Sequence, residues 1–308
     1  MTKDELLKQI KSEHRKSDSV FTSFFVTADL IDSNICNEAQ NIFCSFDIPL
    51  EPVFKGDKLL FDKKFYASKS NLLNSSGLIF GFCLYYAKTK GDTLKQFLDR
   101  FDFALNQYPN HLSFPQMENE SSDDKKISEP EVTGIFSAED IRRARNISFA
   151  ARTFYSCGRA VPWFLSVLKP LRITPSAFFA DFSEWQRCNN CDYKSGFNPE
   201  NEKYQNIEKM QLLFLDQKYE EKGKAEMLSL VHDVVKINGA MSRLCADDEN
   251  ASLKRTLKDE IVLETSYNPD DLLSEEAFDL ESFYENVCME DSTVRLFLTD
   301  YGPDYEIL

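Results

Sequence analysis

The chain lacks the motifs that mark several common enzyme and membrane-protein classes. Only three of its 308 residues are histidine and ten are glycine, and no glycine-rich loop ending in Gly-Lys-Ser/Thr is present to hold phosphate groups. No apolar run approaches the length of about 20 residues that spans a bilayer. Residues 1–16 are charged and lack the apolar stretch of a secretory signal. We therefore expect no membrane partner and no secreted product.

The eight cysteines are scattered and lie mostly in apolar segments, which is typical of reduced cysteines in the cytosol or nucleus. Cys188 and Cys191 have the spacing of half a zinc site, but no second Cys-x-x-Cys pair exists. Cys157, Cys245 or His232 could complete a zinc site only if the fold brought them there. We expect ordinary cysteines, no metal and no cofactor.

Negative charge is concentrated at one end of the chain. Residues 247–308 hold 18 acidic side chains against 4 basic ones, whereas residues 1–246 are close to neutral. An extension of this kind repels nucleic acid and membrane surfaces and attracts a basic protein face. Direct nucleic-acid binding is not expected, and the predicted partners are proteins.

The composition, with 26 phenylalanines and few glycines, favours packed helices. Thr2 and Glu5 form a predicted capping box, and Thr174 with Pro175 opens another helix. Apolar spacing predicts further helices over residues 20–46, with an interruption near Ser33-Asn34, and over residues 72–87, 94–108, 137–154, 202–221 and 224–245. The predicted fold is all-α, with helical bundles at 1–112 and 137–246, a polar linker at 113–136 and an acidic C-terminal extension at 247–308 that is partly helical.

Two groups of residues are candidates for catalysis. Asp270 and Asp271 begin a segment that resembles the Asp-Asp-x-x-Asp magnesium motif of all-α prenyl-diphosphate enzymes, although its fifth position is Ser274. The simpler interpretation is a helix start with acidic residues in its first turn. His232 lies beside Asp233 in an amphipathic helix. A histidine in this setting is more often a surface residue than a catalytic base.

Three segments resemble the N-terminal domain of retinoblastoma-type pocket proteins. The first, residues 173–185, is a hydroxyl-capped helix with the pair Phe178 and Phe179 and then Trp185. The second, residues 78–88, is similar to an apolar helix of that family. The third joins Phe283 and Tyr284 to the element Arg295-Leu296-Phe297 near the end of the chain.

The resemblance implies two cyclin-like bundles, a nuclear location and a role in transcriptional repression and cell-cycle control. Thr174-Pro175 is the only Ser/Thr-Pro pair, so the phosphorylation sites of that family are not reproduced. We predict a non-catalytic protein-interaction scaffold whose partners are transcription or chromatin regulators. Its docking residues would be those of the three matching segments, and the extension would dock through Leu296, Phe297 and Tyr301. There are two alternatives: a magnesium-dependent enzyme that uses Asp270 and Asp271, and an unrelated helical adaptor.

Overall fold

A computed structural model describes residues 1–15, 21–118, 132–246, 260–299 and 302–308. The chain divides into two compact units, Met1–Ala151 and Arg152–Leu308. The helix predicted to begin the second bundle, found at Ala138–Ala151, therefore belongs to unit 1. Residues 119–131 of the predicted linker and 247–259 of the predicted extension lie outside the described ranges.

The prediction of an all-α protein built from two cyclin-like bundles is wrong. The structure is 54% helical, and the described residues also form nine strands in three sheets. The error has a physical origin, because a short apolar run cannot be assigned to a buried helix or a buried strand from its spacing alone.

Unit 1 is built around a parallel sheet of four strands, in the order β1-β2-β5-β6. These are β1 (Thr22–Phe25), β2 (Cys44–Pro49), β5 (Ile79–Cys83) and β6 (His111–Ser113). Helices α2 (Ser33–Ala39), α3 (Lys63–Ser75) and α4 (Leu94–Leu105) make the successive crossovers. The order of the strands across the sheet is also their order along the chain. Right-handed crossovers therefore place these helices on the same face of the sheet.

The remaining elements of unit 1 surround this sheet. Helix α1 (Lys3–His14) packs on α2, and its predicted capping box between Thr2 and Glu5 is confirmed. A small antiparallel hairpin, β3 (Val53–Lys55) and β4 (Lys58–Leu60), follows β2. The short helix α5 (Pro115–Glu118) follows β6, and α6 (Ala138–Ala151) packs on α4.

Two long helices predicted in unit 1 are instead mixtures of helix and strand. Residues 20–46 contain β1, a 3₁₀ turn at Ala28–Leu30, α2 and the start of β2. Residues 72–87 contain the end of α3, a turn and β5. Gly77 lies in that turn with a φ of 65°, a conformation that ends helices and favours glycine.

The parallel sheet has one strongly buried face. Alternate residues along the strands point to it, and their side chains are at most 6% exposed: Phe24, Phe46, Ile48, Phe80, Phe82 and Leu112. Helix α4 adds Phe97 and Phe101 to the core. Its Arg100 forms a buried two-hydrogen-bond pair with Asp92, at 3.0 and 2.7 Å.

Unit 2 begins with a π-helical turn at Arg152–Cys157 and continues mainly as helices. These are α7 (Phe164–Leu168), α8 (Pro175–Cys188), α9 (Tyr204–Glu221) and α10 (Leu228–Ala246). The Thr174 cap of α8 is confirmed. Phe154 lies at the centre of an aromatic core, with ring contacts to Trp163, Phe164, Phe178, Phe179, Phe182 and Phe214.

The described part of the acidic extension forms an antiparallel sheet in the order β7-β8-β9. Its strands are β7 (Ile261–Thr265), β8 (Ser292–Thr299) and β9 (Gly302–Ile307), with α11 (Pro269–Leu272) and α12 (Leu280–Asn286) between β7 and β8. All three strands contact α10. The extension is therefore part of unit 2.

Candidate functional site

A polar cavity of about 610 Å³ lies in unit 2 between α10 and the sheet. We call it the α10 pocket. Helix α10 lines one wall, and the end of β7 and the beginning of β8 line the other, where Thr265 pairs with Ser292. The lining side chains are polar or charged: Ser229, His232, Asp233, Lys236, Glu264, Thr265, Ser266, Asp291, Ser292 and Thr293.

His232 is held in the wall of the pocket by a carboxylate from the neighbouring helix. Its Nε2 lies 2.5 Å from Oδ1 of Asp216, which is on α9 and does not line the pocket. A carboxylate can only accept a hydrogen bond, so Nε2 carries a proton, and in the neutral form of the ring Nδ1 keeps a lone pair. The ring is 29% exposed, so a ligand in the pocket can reach it.

Asp233 anchors the sheet to α10. Its Oδ2 accepts a hydrogen bond of 2.7 Å from the backbone N–H of Ser266, which immediately follows β7. Asp233 is only 4% exposed. Burial raises the pKa of Asp233 to about 6. This effect outweighs the hydrogen bonds from Ser266 and Tyr267 and the charge of Lys236, which lower the pKa. This carboxyl group therefore titrates near pH 6 and not near its ordinary value of 3.8.

Three charged groups of the pocket form no salt bridge with another described residue, although the charge of Lys236 acts on Asp233 and Glu208. Among the described residues, neither the ammonium of Lys236 nor the carboxylates of Glu264 and Asp291 form a salt bridge or a side-chain hydrogen bond. Glu264 and Asp291 are exposed at the pocket margin. The pocket thus presents both charge signs to a ligand.

Among the described residues, the pocket lining contains no phenyl, indole or aliphatic side chain, and it has five hydroxyl groups. Most ligand pockets of a few hundred cubic ångströms are predominantly apolar. A polar lining of this kind gives little hydrophobic stabilisation to a drug-like molecule and matches a small hydrophilic one. The combination of a carboxylate-held histidine and a carboxyl group with a raised pKa is typical of acid–base sites.

The residues predicted for docking occupy different environments. Phe178 and Phe179 are fully buried around Phe154. Trp185 is half-buried and stacks on Phe182 with 5.6 Å between ring centroids. These three side chains contribute to the interior packing of unit 2.

In the extension, Phe283 and Leu296 are buried, whereas Tyr284 is 36% exposed. Arg295 forms salt bridges with Glu306 on β9 and with Glu260, which immediately precedes β7. Phe297 is half-buried in β8, and Tyr301 lies outside the described residues. Residues 78–88, which resemble an apolar helix of the retinoblastoma-type domain, contain strand β5 rather than a helix, and residues 294–298 of the third matching segment lie in β8.

The remaining candidate metal ligands do not come together. Asp270 accepts a hydrogen bond of 2.8 Å from the hydroxyl of Tyr305, and both aspartates lie in the first turn of α11, as the simpler interpretation predicts. Cys188 and Cys191 are unpaired thiols. Within the part of the chain that is described, no group of three or more metal-binding side chains is found.

No known relative was found. Neither a family model, nor a curated protein, nor a solved structure matches the chain. The retinoblastoma-type resemblance is thus neither supported nor refuted by these comparisons. In the described ranges, no helix has both the length and the apolar character required to cross a membrane.

The sequence favoured a surface histidine at His232, beside Asp233, over a catalytic base, and it did not indicate the pocket around them. Asp216 lies sixteen residues before His232 on another helix, and no local spacing rule links the two. The available signal was the pair of long amphipathic helices at 202–221 and 224–245. Two adjacent antiparallel helices of this length bring polar residues from their facing margins together.

Proposed function

We propose that the α10 pocket is an acid–base catalytic site for a small hydrophilic substrate. The observation that supports this most strongly is the orientation of His232 by Asp216 from outside the pocket. An aspartate that fixes the tautomer of a histidine leaves its other nitrogen free to accept a proton. In this proposal, Nδ1 of His232 takes a proton from the substrate or from an attacking water molecule.

The charged groups without a salt bridge define the substrate class. Lys236 would bind a carboxylate or another anionic group, and Glu264 with Asp291 would bind an ammonium group. The hydroxyl side chains of the pocket supply further hydrogen bonds. The substrate class that satisfies all of these groups is a small zwitterion, such as a free amino acid or an amino sugar acid.

The test is a thermal-shift screen of amino acids and amino sugar acids, followed by time-resolved ¹H NMR of each stabilising compound with the protein. We expect a zwitterion to raise the melting temperature and then to be converted or to exchange a proton with D₂O. Lys236→Met should abolish the shift, whereas Lys209→Met, a change at an exposed position of α9, should retain it.

His232→Gln should keep binding and lower turnover by about a hundredfold or more, within the range for loss of a general base. His14→Gln alters an exposed histidine of α1 and is the control. A zwitterion that binds without reacting would reject the catalytic part of the proposal. A screen without any stabilising zwitterion would reject the substrate class.

The sequence-based hypothesis of a retinoblastoma-like, nuclear protein-interaction scaffold stays a prediction. The exposed aromatic side chains of Phe278 and Tyr284 in the acidic extension favour its protein-binding part. Affinity capture with the wild-type chain and with a Phe278→Ala, Tyr284→Ala double variant tests it. Specific recovery of transcription or chromatin regulators that is lost in the variant would support the hypothesis, and an unchanged set of captured proteins would contradict it.

A further inference from the structure

A second histidine–carboxylate pair lies in unit 1, on the face of the parallel sheet opposite its buried phenylalanines. The register places Phe25, Asp47, Gly81 and His111 side by side on four adjacent strands. Residues in one such row point to the same face. Nε2 of His111 lies 2.5 Å from Oδ1 of Asp47, although β5 separates their two strands.

Gly81 makes this contact possible. A Cβ atom at position 81 would lie 2.2 Å from Nε2 of His111 and within 2.5 Å of two further ring atoms. The imidazole therefore occupies the space above a glycine in the middle of a strand, where glycine otherwise weakens a sheet. The Asp47–His111 pair thus depends on residues of three strands, β2, β5 and β6.

The charge of Asp47 is stabilised in this position. Burial raises the pKa of Asp47, but hydrogen bonds from His111 and Ser23 outweigh this effect, so that the net pKa lies below its usual value. A carboxylate has about four lone-pair positions, so Asp47 can accept a further hydrogen bond. Its side chain remains 22% exposed, and that of His111 remains 34% exposed.

One exposed aromatic ring adjoins the carboxylate, and two more lie four residues back along the chain, immediately before the same two strands. Phe25, next to Asp47 in the row, is 57% exposed. Phe21 and Phe43 precede β1 and β2, are 47% and 55% exposed, and form an edge-to-face pair with 4.8 Å between centroids. Neighbouring strands are about 4.8 Å apart, so one small molecule can contact the Phe25 ring and the Asp47 carboxylate together.

We propose that this row is a binding site for a small aromatic amine, with its ring against Phe25 and its ammonium group on the carboxylate of Asp47. Ionised carboxylate and exposed aromatic rings both attract an ammonium group. A neutral aromatic molecule would gain only the ring contact. The site is in a different unit from the α10 pocket and does not depend on the function proposed there.

The test uses phenethylamine as the probe and 2-phenylethanol, which has the ring but no charge, as the matched control ligand. Binding is followed by NMR of the imidazole signals, because the chain has only three histidines. We expect phenethylamine to shift the signals of His111 saturably, with those of His14 and His232 unchanged. Its affinity should exceed that of 2-phenylethanol by about tenfold or more.

Two variants separate binding from folding. Asp47→Asn should remove the preference for the amine, and Phe25→Ala, which changes an exposed side chain, should weaken phenethylamine binding by about three- to tenfold. Unchanged signals of His14 and His232 would show that each variant is folded. The proposal is overturned if the probe does not shift the His111 signals, if the alcohol binds equally well, or if both variants bind like the wild type.

Discussion

Replacement of Gly81 by alanine should break the Asp47–His111 contact without changing either partner. The added Cβ would lie 2.2–2.5 Å from three atoms of the imidazole, so the ring must move by an ångström or more. The backbone at position 81 does not have the positive φ that disfavours alanine. The perturbation is therefore confined to the side chain of His111 and the hydrogen bond that it donates.

We expect Gly81→Ala to lower the free energy of unfolding by about 2 kcal/mol. A hydrogen bond to a charged group contributes about 1.5–3 kcal/mol, and the lower part of this range applies because both side chains are partly exposed. In a His111→Ala background the collision is absent. There the same glycine-to-alanine change should be neutral or stabilising by about 0.5 kcal/mol, because alanine restricts the unfolded chain.

Urea unfolding of the four proteins of this double-mutant cycle gives the coupling energy between positions 81 and 111. Imidazole NMR reports in parallel whether His111 keeps its proton on Nε2. An equal stability change in both backgrounds would refute the reasoning, as would an unaltered His111 tautomer in Gly81→Ala. Either result would mean that the ring and the glycine are not in contact in solution.

Three further predictions concern buried polar groups. Arg100→Met should destabilise unit 1 by about 3–5 kcal/mol in urea unfolding, because it leaves Asp92 buried without its charged partner. The raised folded-state pKa of Asp233, about 6 against 3.8, means that its contribution to stability declines as pH rises from about 4 to 6. Asp233→Asn keeps an acceptor for Ser266. Its free energy of unfolding should therefore rise by up to about 3 kcal/mol relative to that of the wild type over this pH interval. Parallel curves of stability against pH for the two proteins would contradict this prediction. Gln211 donates hydrogen bonds to the carbonyl groups of Phe154 and Gly158 at 2.7 and 3.0 Å; Gln211→Met should lower the melting temperature by several degrees, since both carbonyls lose a partner.

Helices that begin with a polar cap were predictable from sequence. Thr2, Ser137 and Thr174 begin α1, α6 and α8 because each side chain accepts a backbone hydrogen bond three residues ahead. The strands were missed because their partners are distant. The pairing of β2 with β5 joins Phe46 to Phe80, and a spacing rule within one segment carries no information about it.

Two local signals could have corrected the prediction for residues 20–46 and 72–87. Asp32 caps α2 through the N–H groups of Asn34 and Ile35, so the interruption predicted near Ser33 is the start of a new helix. Gly77 ends α3 before β5. The candidate sites were harder to predict, because Asp216–His232 and Asp47–His111 each join different elements. The identities of the residues alone showed only that the chain has three histidines, a number small enough to consider each one as a site residue.

The coincidence of spatial and chain order in the parallel sheet has a consequence for how the protein is made. Each of β2, β5 and β6 pairs with the strand of this sheet that precedes it in the chain. During translation, the strand with which each new strand pairs has therefore already been synthesised and forms the edge of the sheet. The sheet can therefore be assembled vectorially on the ribosome, without waiting for residues that emerge later.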